Sequence, residues 1–307
     1  MDHTDYVVFL GSADIDENYE MSYWPAGGEK GSAKLVDTVP GGMIANAACV
    51  CAGMGVRTCM FDMNGGDSEY DFLFDDLTKY GVDTSHTVRL SGIRETKCMV
   101  FRLPGGERSI ICVSNNKRPL ELTVEQKDFL FGAKYLYGSL WTEGIIKGAA
   151  DFLREAKAHG TKVMYDIEPN SMRGNWRELM SFANIVSMNE YALERFREGR
   201  LEQDFIREMI EGGLEALVIT LGGNGCRLIT SGSDRHIPGY KVKVVDTTGC
   251  GDTFNGSFLA SVVKGATFEE AAEFANAAAN MKARVLGPRG GITTPEKVHE
   301  FICSNRV

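Results

Sequence analysis

The chain has 307 residues, 43% of them apolar and 24% charged, the balance of a globular protein long enough for one large domain or two ordinary ones. A formal net charge of −9 argues against a nucleic-acid partner, which calls for a basic patch to neutralise phosphates. No stretch approaches the roughly 20 apolar residues of a membrane span, and the segment from Asp2 to Leu10 lacks the basic start and long apolar core of a signal peptide.

In chain order, DYVVFLGSADID reads as a buried strand ending in a Gly/Ser turn, and GGMIANAACVCAGMGV as a small-residue helix able to pack closely on a sheet. TCMFDMNG then SEYDFLFDDLTKYG, AKYLYGSL then IKGAADFLREAKAHG, KVMYDIEPN, NIVSMNE, DFIREMIEGG and EALVITLGG continue the alternation of strand and helix. Such alternation builds parallel βαβ units, and the expected architecture is a three-layer α/β/α fold around a mainly parallel central sheet. No Pro/Ser-rich linker divides residues 1–307, so one domain is expected.

Two regions break the rhythm. Residues 16–39 read as irregular and rich in Gly and polar groups, while TKCMVFRLPGGERSIICV alternates like a hairpin turning at Pro104, Gly105 and Gly106. Cys98 and Val100 would face one way and Met99, Phe101 and Leu103 the other, with Ile110 and Ile111 split between faces. Both faces then need cover, either from a ligand on one side and a second subunit on the other, or from the rest of its own domain. The expected lid is formed by about 16–39 and 94–115.

Eight cysteines (Cys49, Cys51, Cys59, Cys98, Cys112, Cys226, Cys250, Cys303) are scattered without a CxxC pair. Reduced and mostly buried thiols in a cytoplasmic protein are expected.

The most specific segment is KVKVVDTTGCGDTFNGSFLASVVKG. A β-rich run ends at Asp246, a turn holds Gly249, Cys250 and Gly251, and a helix starts beside Asp252. Glycines admit positive φ and bring N–H groups together at the positive end of the helix, which makes an anion site. A carboxylate there is costly beside a phosphate unless it accepts the proton of an attacking hydroxyl. Alternatively, Asp252 is an N-cap and the glycines only a tight loop.

DTTGCGDTFNGSFLA closely resembles the C-terminal signature of the ribokinase-like, PfkB-type carbohydrate kinase family, usually DTTGAGDxFxGG, with Cys250 replacing Ala and Ser257 the last Gly. GSADID resembles the family's first strand and sugar-contacting turn, which implies Asp14 and Asp16 at the substrate. PGGMIANAA resembles its N-terminal glycine motif, implying substrate contacts at Gly41, Gly42 and Asn46, although Met43 and Ile44 replace the usual Lys and third Gly. SMNEYALERF falls at the family's NxxE motif: Asn189 fits, but Ala192 stands where the glutamate should, leaving Glu190 and Glu194 as the nearest carboxylates.

VITLGGNGCRLIT is similar to the family's nucleotide strand and turn, implying roles for Thr220, Gly222 and Gly225; a plain hairpin would use the same glycines. FANAAANMKARVLG resembles the helix flanking adenine, implying Asn276, and carbonyls at Asp246 and Gly287 would hold a potassium ion. DIEPNSMRGNW resembles the DxN…R…W stretch of fructokinase-like and ketodeoxygluconate-kinase-like members, implying Asp166, Asn170 and Arg173.

The resemblance implies an ATP- and Mg²⁺-dependent kinase acting on a hydroxyl of a sugar or sugar acid, of ribokinase, fructokinase or 2-keto-3-deoxygluconate kinase type, while the two apolar faces of the hairpin lead to the expectation of a homodimer through the β lid. A nucleoside kinase of the same family would need a slot for the base, which Tyr23, Met99 or Phe101 could line. A catalytically silent sugar sensor would not need Asp252 and its glycines, and a dinucleotide-binding dehydrogenase would need a GxGxxG after the first strand, which is missing. GxxxxGK[ST], GxSxG and HExxH are also missing, and the five histidines are isolated.

Overall fold

The computed structural model describes residues 4–104, 108–113, 116–172 and 174–305; the hairpin tip at Gly105 and Gly106, and Arg173, lie outside the described residues. Strands follow in the order β1 (Thr4–Leu10), β2 (Asp14–Met21), β3 (Ala33–Gly41), β4 (Arg57–Phe61), β5 (Met63–Gly65), β6 (Val82–Asp83), β7 (Val88–Leu90), β8 (Lys97–Arg102) and β9 (Arg108–Val113). They continue with β10 (Ala133–Gly138), β11 (Lys162–Ile167), β12 (Ile185–Asn189), β13 (Ala216–Thr220), β14 (Cys226–Ile229) and β15 (Asp234–Ile237).

The large sheet runs β15-β14-β13-β12-β11-β10-β1-β4-β6. Its pairs from β6 to β13 are parallel, and β14 and β15 are added antiparallel at one edge. The unbroken apolar run of β1 is explained by burial on both faces. Val7 and Phe9 point into one core with the helices Met43–Gly53, Cys250–Val263 and Phe268–Lys282, while Val8 and Leu10 point into a second core with Leu130, Phe152, Leu153 and Phe196. These are the expected three layers. Because β1 lies between β4 and β10, the chain leaves it toward one side and later returns on the other; in such sheets the crevice at this reversal, outside the carboxyl ends of the strands, takes the ligand.

A separate four-stranded sheet, β3-β2-β8-β9, stands over that end. Residues 16–39 are therefore not irregular: β2 and β3 pair antiparallel from Asp14↔Gly41 to Met21↔Ala33, around a Gly-rich connection. The strands escaped pattern reading because both faces carry polar residues; Asp16, Glu17 and Asn18 in succession leave no period of two. The β-rich run before Asp246 is the converse correction. Residues 241–246 join no ladder; instead the amides of Val245 and Asp246 donate to the carbonyl of Ala283.

All eight cysteines are free thiols, but only Cys49, Cys51, Cys59 and Cys226 are buried. Among the described residues no helix is long and apolar enough to cross a membrane.

Candidate active site

Asp14 starts β2, the strand that leaves the carboxyl end of β1, and Asp16 follows on the same face. The glycine pair facing them has a steric reason. A Cβ at Gly41 would lie 2.3 Å from the Cγ of Asp16, and one at Gly42 would lie 2.9 Å from the amide of Asp14 and 3.2 Å from its carboxylate. Gly42 also has φ 92, in the region that favours glycine, and there it begins the helix Met43–Gly53. Gly41 and Gly42 thus admit the two carboxylates rather than serving merely as a turn.

That helix carries Asn46 one turn in, buried, with both ends of its amide engaged. Its Nδ2 donates to Asp252 Oδ2 at 2.8 Å, and its Oδ1 accepts from Arg289 Nε at 2.9 Å. Arg289, also buried, donates to the Gly41 carbonyl at 3.0 Å and pairs with Asp76. Close approach of the helices Met43–Gly53 and Cys250–Val263 makes this possible: a Cβ on Gly256 would meet the Ala47 carbonyl at 2.5 Å.

Asp252 sits in the first turn of Cys250–Val263, behind Gly249 at φ 78. Gly249 is obligatory twice over, since a Cβ there would also meet the Pro288 carbonyl at 2.6 Å. Of the three expected anion-hole amides, that of Cys250 turns back on the Thr247 carbonyl at 3.2 Å. The amides of Gly251 and Asp252 lie in the first turn, where no intrahelical carbonyl is available, and the space in front of Gly251 is open. Asp252 does not cap the helix with its side chain; Asn46 holds its carboxylate instead.

Electrostatically the site is strained. Withdrawal from solvent, then the negative charge of Asp166, push Asp252 up to about 8, against the Asn46 hydrogen bond and the Arg289 charge that favour ionisation. Burial likewise raises Asp166 and Asp14 to about 7 and Asp16 to about 6, with Lys117 opposing at Asp14 and Arg289 at Asp16. Asp166, near the end of β11, accepts from Tyr137 Oη at 3.2 Å. Four acidic groups with pKa values near neutrality can both donate and accept hydrogen bonds, which suits them to sugar hydroxyls. Asn170 is exposed in the turn after β11.

The residues implied for nucleotide are divided. Thr220 ends β13, and Gly222 (φ 55) and Gly225 (φ 94) form the turn to β14, where a Cβ at Gly225 would strike the Ile237 carbonyl at 2.0 Å. Asn189 pairs in register with Thr220, but its Oδ1 caps the next helix by accepting from the Ala192 amide at 2.8 Å. Asn276 is buried; its Nδ2 donates to the Pro238 carbonyl at 2.8 Å and its Oδ1 accepts from Asn280 Nδ2 at 3.2 Å, so its amide is engaged within the fold. Glu194 is held by Arg197 at 2.6 Å, whereas Glu190 stands exposed.

Asp246 presents its carboxylate to the Thr248 and Gly287 amides, each at 2.9 Å. Burial would raise it, but those bonds and the Lys282 charge outweigh burial and hold it below the usual range. Lys282 was not foreseen. Fully buried, its ammonium donates to the carbonyls of Asp246 at 3.1 Å and Val285 at 3.0 Å. Arg289 was not foreseen either; its only signal in sequence is a charge inside the turn GPRGG.

The small sheet presents one face toward Asp14 and Asp16. Registers Asp16↔Cys98 and Cys98↔Cys112 put these three on one face, with the two sulfurs 2.8 Å apart. Arg108 on β9 reaches the Thr248 hydroxyl beside the Gly249 turn. The other face carries Met99 and Phe101, with Phe101 stacked on Tyr19 at 5.2 Å and edge-on to Trp24 at 5.5 Å.

Comparison with known proteins finds relatives along nearly the whole chain. The family model described as pfkB family carbohydrate kinase matches residues 4–295. The ribokinase of Haemophilus influenzae is 27% identical over 299 residues, covering 95% of this chain and 97% of that protein. The probable fructokinase-5 of Arabidopsis thaliana is 28% identical over 288 residues, covering 86% and 88%. Among solved structures, Arabidopsis thaliana ribokinase complexed with ribose and ATP superposes with a TM-score of 0.82 at 24% identity, covering 97% of this chain and 98% of that one.

Proposed function

The chain belongs to the pfkB family of carbohydrate kinases, and from that premise we propose that it transfers the γ-phosphoryl group of ATP to a hydroxyl of a small neutral sugar. The observation that carries this is Asp252, oriented by Asn46 at 2.8 Å beside the open amides of a helix start. The sugar lies between Asp14 and Asp16 above and Asp166 below. Asp252 takes the proton of the attacking hydroxyl, and the amides of Gly251 and Asp252 stabilise charge on the phosphoryl oxygens. The nucleotide lies along Thr220 and Gly222.

Asp14, Asp16 and Asp166 make the site acidic, together with Glu168 after β11, whose charge helps to raise both Asp166 and Asp252. A sugar carboxylate would add a negative charge that raises these buried carboxyls still further, whereas neutral hydroxyls hydrogen-bond them in either protonation state, which favours a ribokinase- or fructokinase-type substrate over a sugar acid. The nucleoside alternative is disfavoured because Met99 and Phe101, offered as a base slot, share the face away from Asp16. A silent sensor is disfavoured by the retained Asp252 and Gly249.

Magnesium travelling with ATP neutralises charge between the phosphates. Among the described residues no group of three or more His, Cys, Asp or Glu could hold a metal, so the chain offers single carboxylates, Glu168 after β11 and Glu190 after β12. The potassium ion implied at Asp246 and Gly287 meets a position toward which Lys282 already extends its ammonium.

Residues 1–307 act as one kinase domain with the small sheet as lid. Its outer face exposes Leu35, Ile111 and Val113, each 45–50% accessible, and a second copy of the chain through this face supports a homodimer. Eight free thiols support a cytoplasmic location. An ADP-release screen over neutral sugars, sugar acids and nucleosides tests the proposal, with turnover on a neutral sugar expected. Asp252→Asn should lower kcat by about 10²-fold or more while ATP binding persists; near-normal turnover of that folded variant would refute Asp252 as the base.

A further inference from the structure

Lys282 is the last residue of the helix Phe268–Lys282 and is 0% exposed. A buried ammonium must be surrounded by acceptors. A lysine that only caps its own helix would reach that helix's last carbonyls. Lys282 instead spans 36 residues of sequence to the Asp246 carbonyl at 3.1 Å, and takes the Val285 carbonyl at 3.0 Å. The fold makes room for its stem: a Cβ on Gly291 would lie 2.8 Å from both Cα and Cδ of Lys282.

The segment so gripped is the one that aims the anion site. Its Asp246 carboxylate accepts from Thr248 and Gly287, and Gly249 and the helix of Asp252 follow directly. The ammonium therefore holds the main chain of Asp246 while amides hold its side chain, which leaves the turn little freedom. A metal cation at the same place would need the Asp246 oxygen that the ammonium already occupies, and would sit against a like charge in a region of low dielectric. The implied potassium site and the residues present do not fit together.

We propose that Lys282 is the resident cation of the anion loop, a positioning residue whose tethered ammonium replaces a monovalent metal ion, so that the enzyme works without potassium. This rests on the kinase reading and adds to it a charge under the phosphoryl-binding amides that no exchange of salt removes.

The test compares turnover of the intact enzyme in potassium, sodium and tetramethylammonium chloride at equal ionic strength. Rates should agree within about twofold, and a severalfold rise in potassium overturns the proposal without any variant being needed. Lys282→Ala opens space and frees two carbonyls. It should lose about tenfold or more in kcat with little change in sugar KM, regain rate in potassium or ammonium, and gain melting temperature in potassium but not in tetramethylammonium. Lys282→Met, which fills the space without charge, should be impaired and not rescued. Wild-type kcat from Lys282→Ala in tetramethylammonium also overturns the proposal. Should no sugar yield ADP, the kinase reading fails instead, and the melting-temperature comparison still reads the cation site.

Discussion

Gly41→Ala isolates the steric logic of the substrate carboxylates. The added Cβ would lie 2.3 Å from Cγ and Oδ2 of Asp16 and 2.4 Å from its Oδ1, where ordinary contact begins at 3.4 Å. The Asp16 carboxylate must therefore move by about 1 Å, a displacement that in a positioned site costs on the order of 10²-fold in rate. Gly41 is not among the residues at positive φ, so the backbone accepts alanine, and stability should change by no more than about 1 kcal/mol. Steady-state ADP release with varied sugar at saturating ATP should show kcat/KM reduced by about 10²-fold, about 2.7 kcal/mol, mostly through sugar KM, with ATP KM and melting temperature nearly unchanged. Adding Asp16→Ala should change little further, since both variants remove one interaction. Sugar kinetics within about threefold of wild type, or fully additive effects of the two changes, would refute the steric account.

Asp252 must lose its proton before it can act. With its pKa raised to about 8, kcat/KM should climb as pH rises through that region, and Asp166→Asn, which removes the like charge, should move this acid limb to lower pH; an unmoved limb would separate the two groups. Asp14, Asp16, Asp166 and Asp252 are raised to between about 6 and about 8, so between the ordinary carboxylate range and those values the native state holds protons that the unfolded chain has lost. Stability of the ligand-free protein should then fall as pH rises from 5 to 8, less steeply in Asp252→Asn, and a melting temperature flat with pH would contradict the raised values. Ile111→Asp, on the exposed outer face in register with Met99, should convert a dimer to monomers in sedimentation; a wild type already monomeric at micromolar concentration would remove the dimer proposal.

Most elements of the large sheet were legible because each is encoded within a short window, whereas the short edge strands β6 and β15 carry too few residues to show a pattern. The unbroken apolar run of β1 implies a strand covered on both faces, and DTTGCGD implies a turn that only glycine can make before a helix start. The small sheet was half legible. β8 and β9 alternate around a Pro/Gly turn, but β2 and β3 expose polar residues on both faces, and their pairing appears only when Asp14 meets Gly41 across the Gly-rich connection. The Val-rich run before Asp246 misled in the opposite way, because β propensity does not supply a neighbouring strand to bond.

The sequence by itself determined the kind of fold and the kind of chemistry: strands and helices in parallel alternation, and an acid at a glycine-opened helix start. Each of these follows from local stereochemistry, from which residues tolerate which φ and which faces must be buried. The tertiary structure decided what each polar side chain is for. Asn46 reaches Asp252 across 206 positions and Arg289 across 243, which makes it the holder of the base; Asn276, with the same amide, is engaged within the fold. Lys282 ends an alanine-rich helix exactly as a solvated lysine would, and only the Asp246 segment folding over it turns its charge inward. Whether a polar group is ligand, prop or counter-ion depends on the atoms that surround it, and those are supplied by segments far away in the chain.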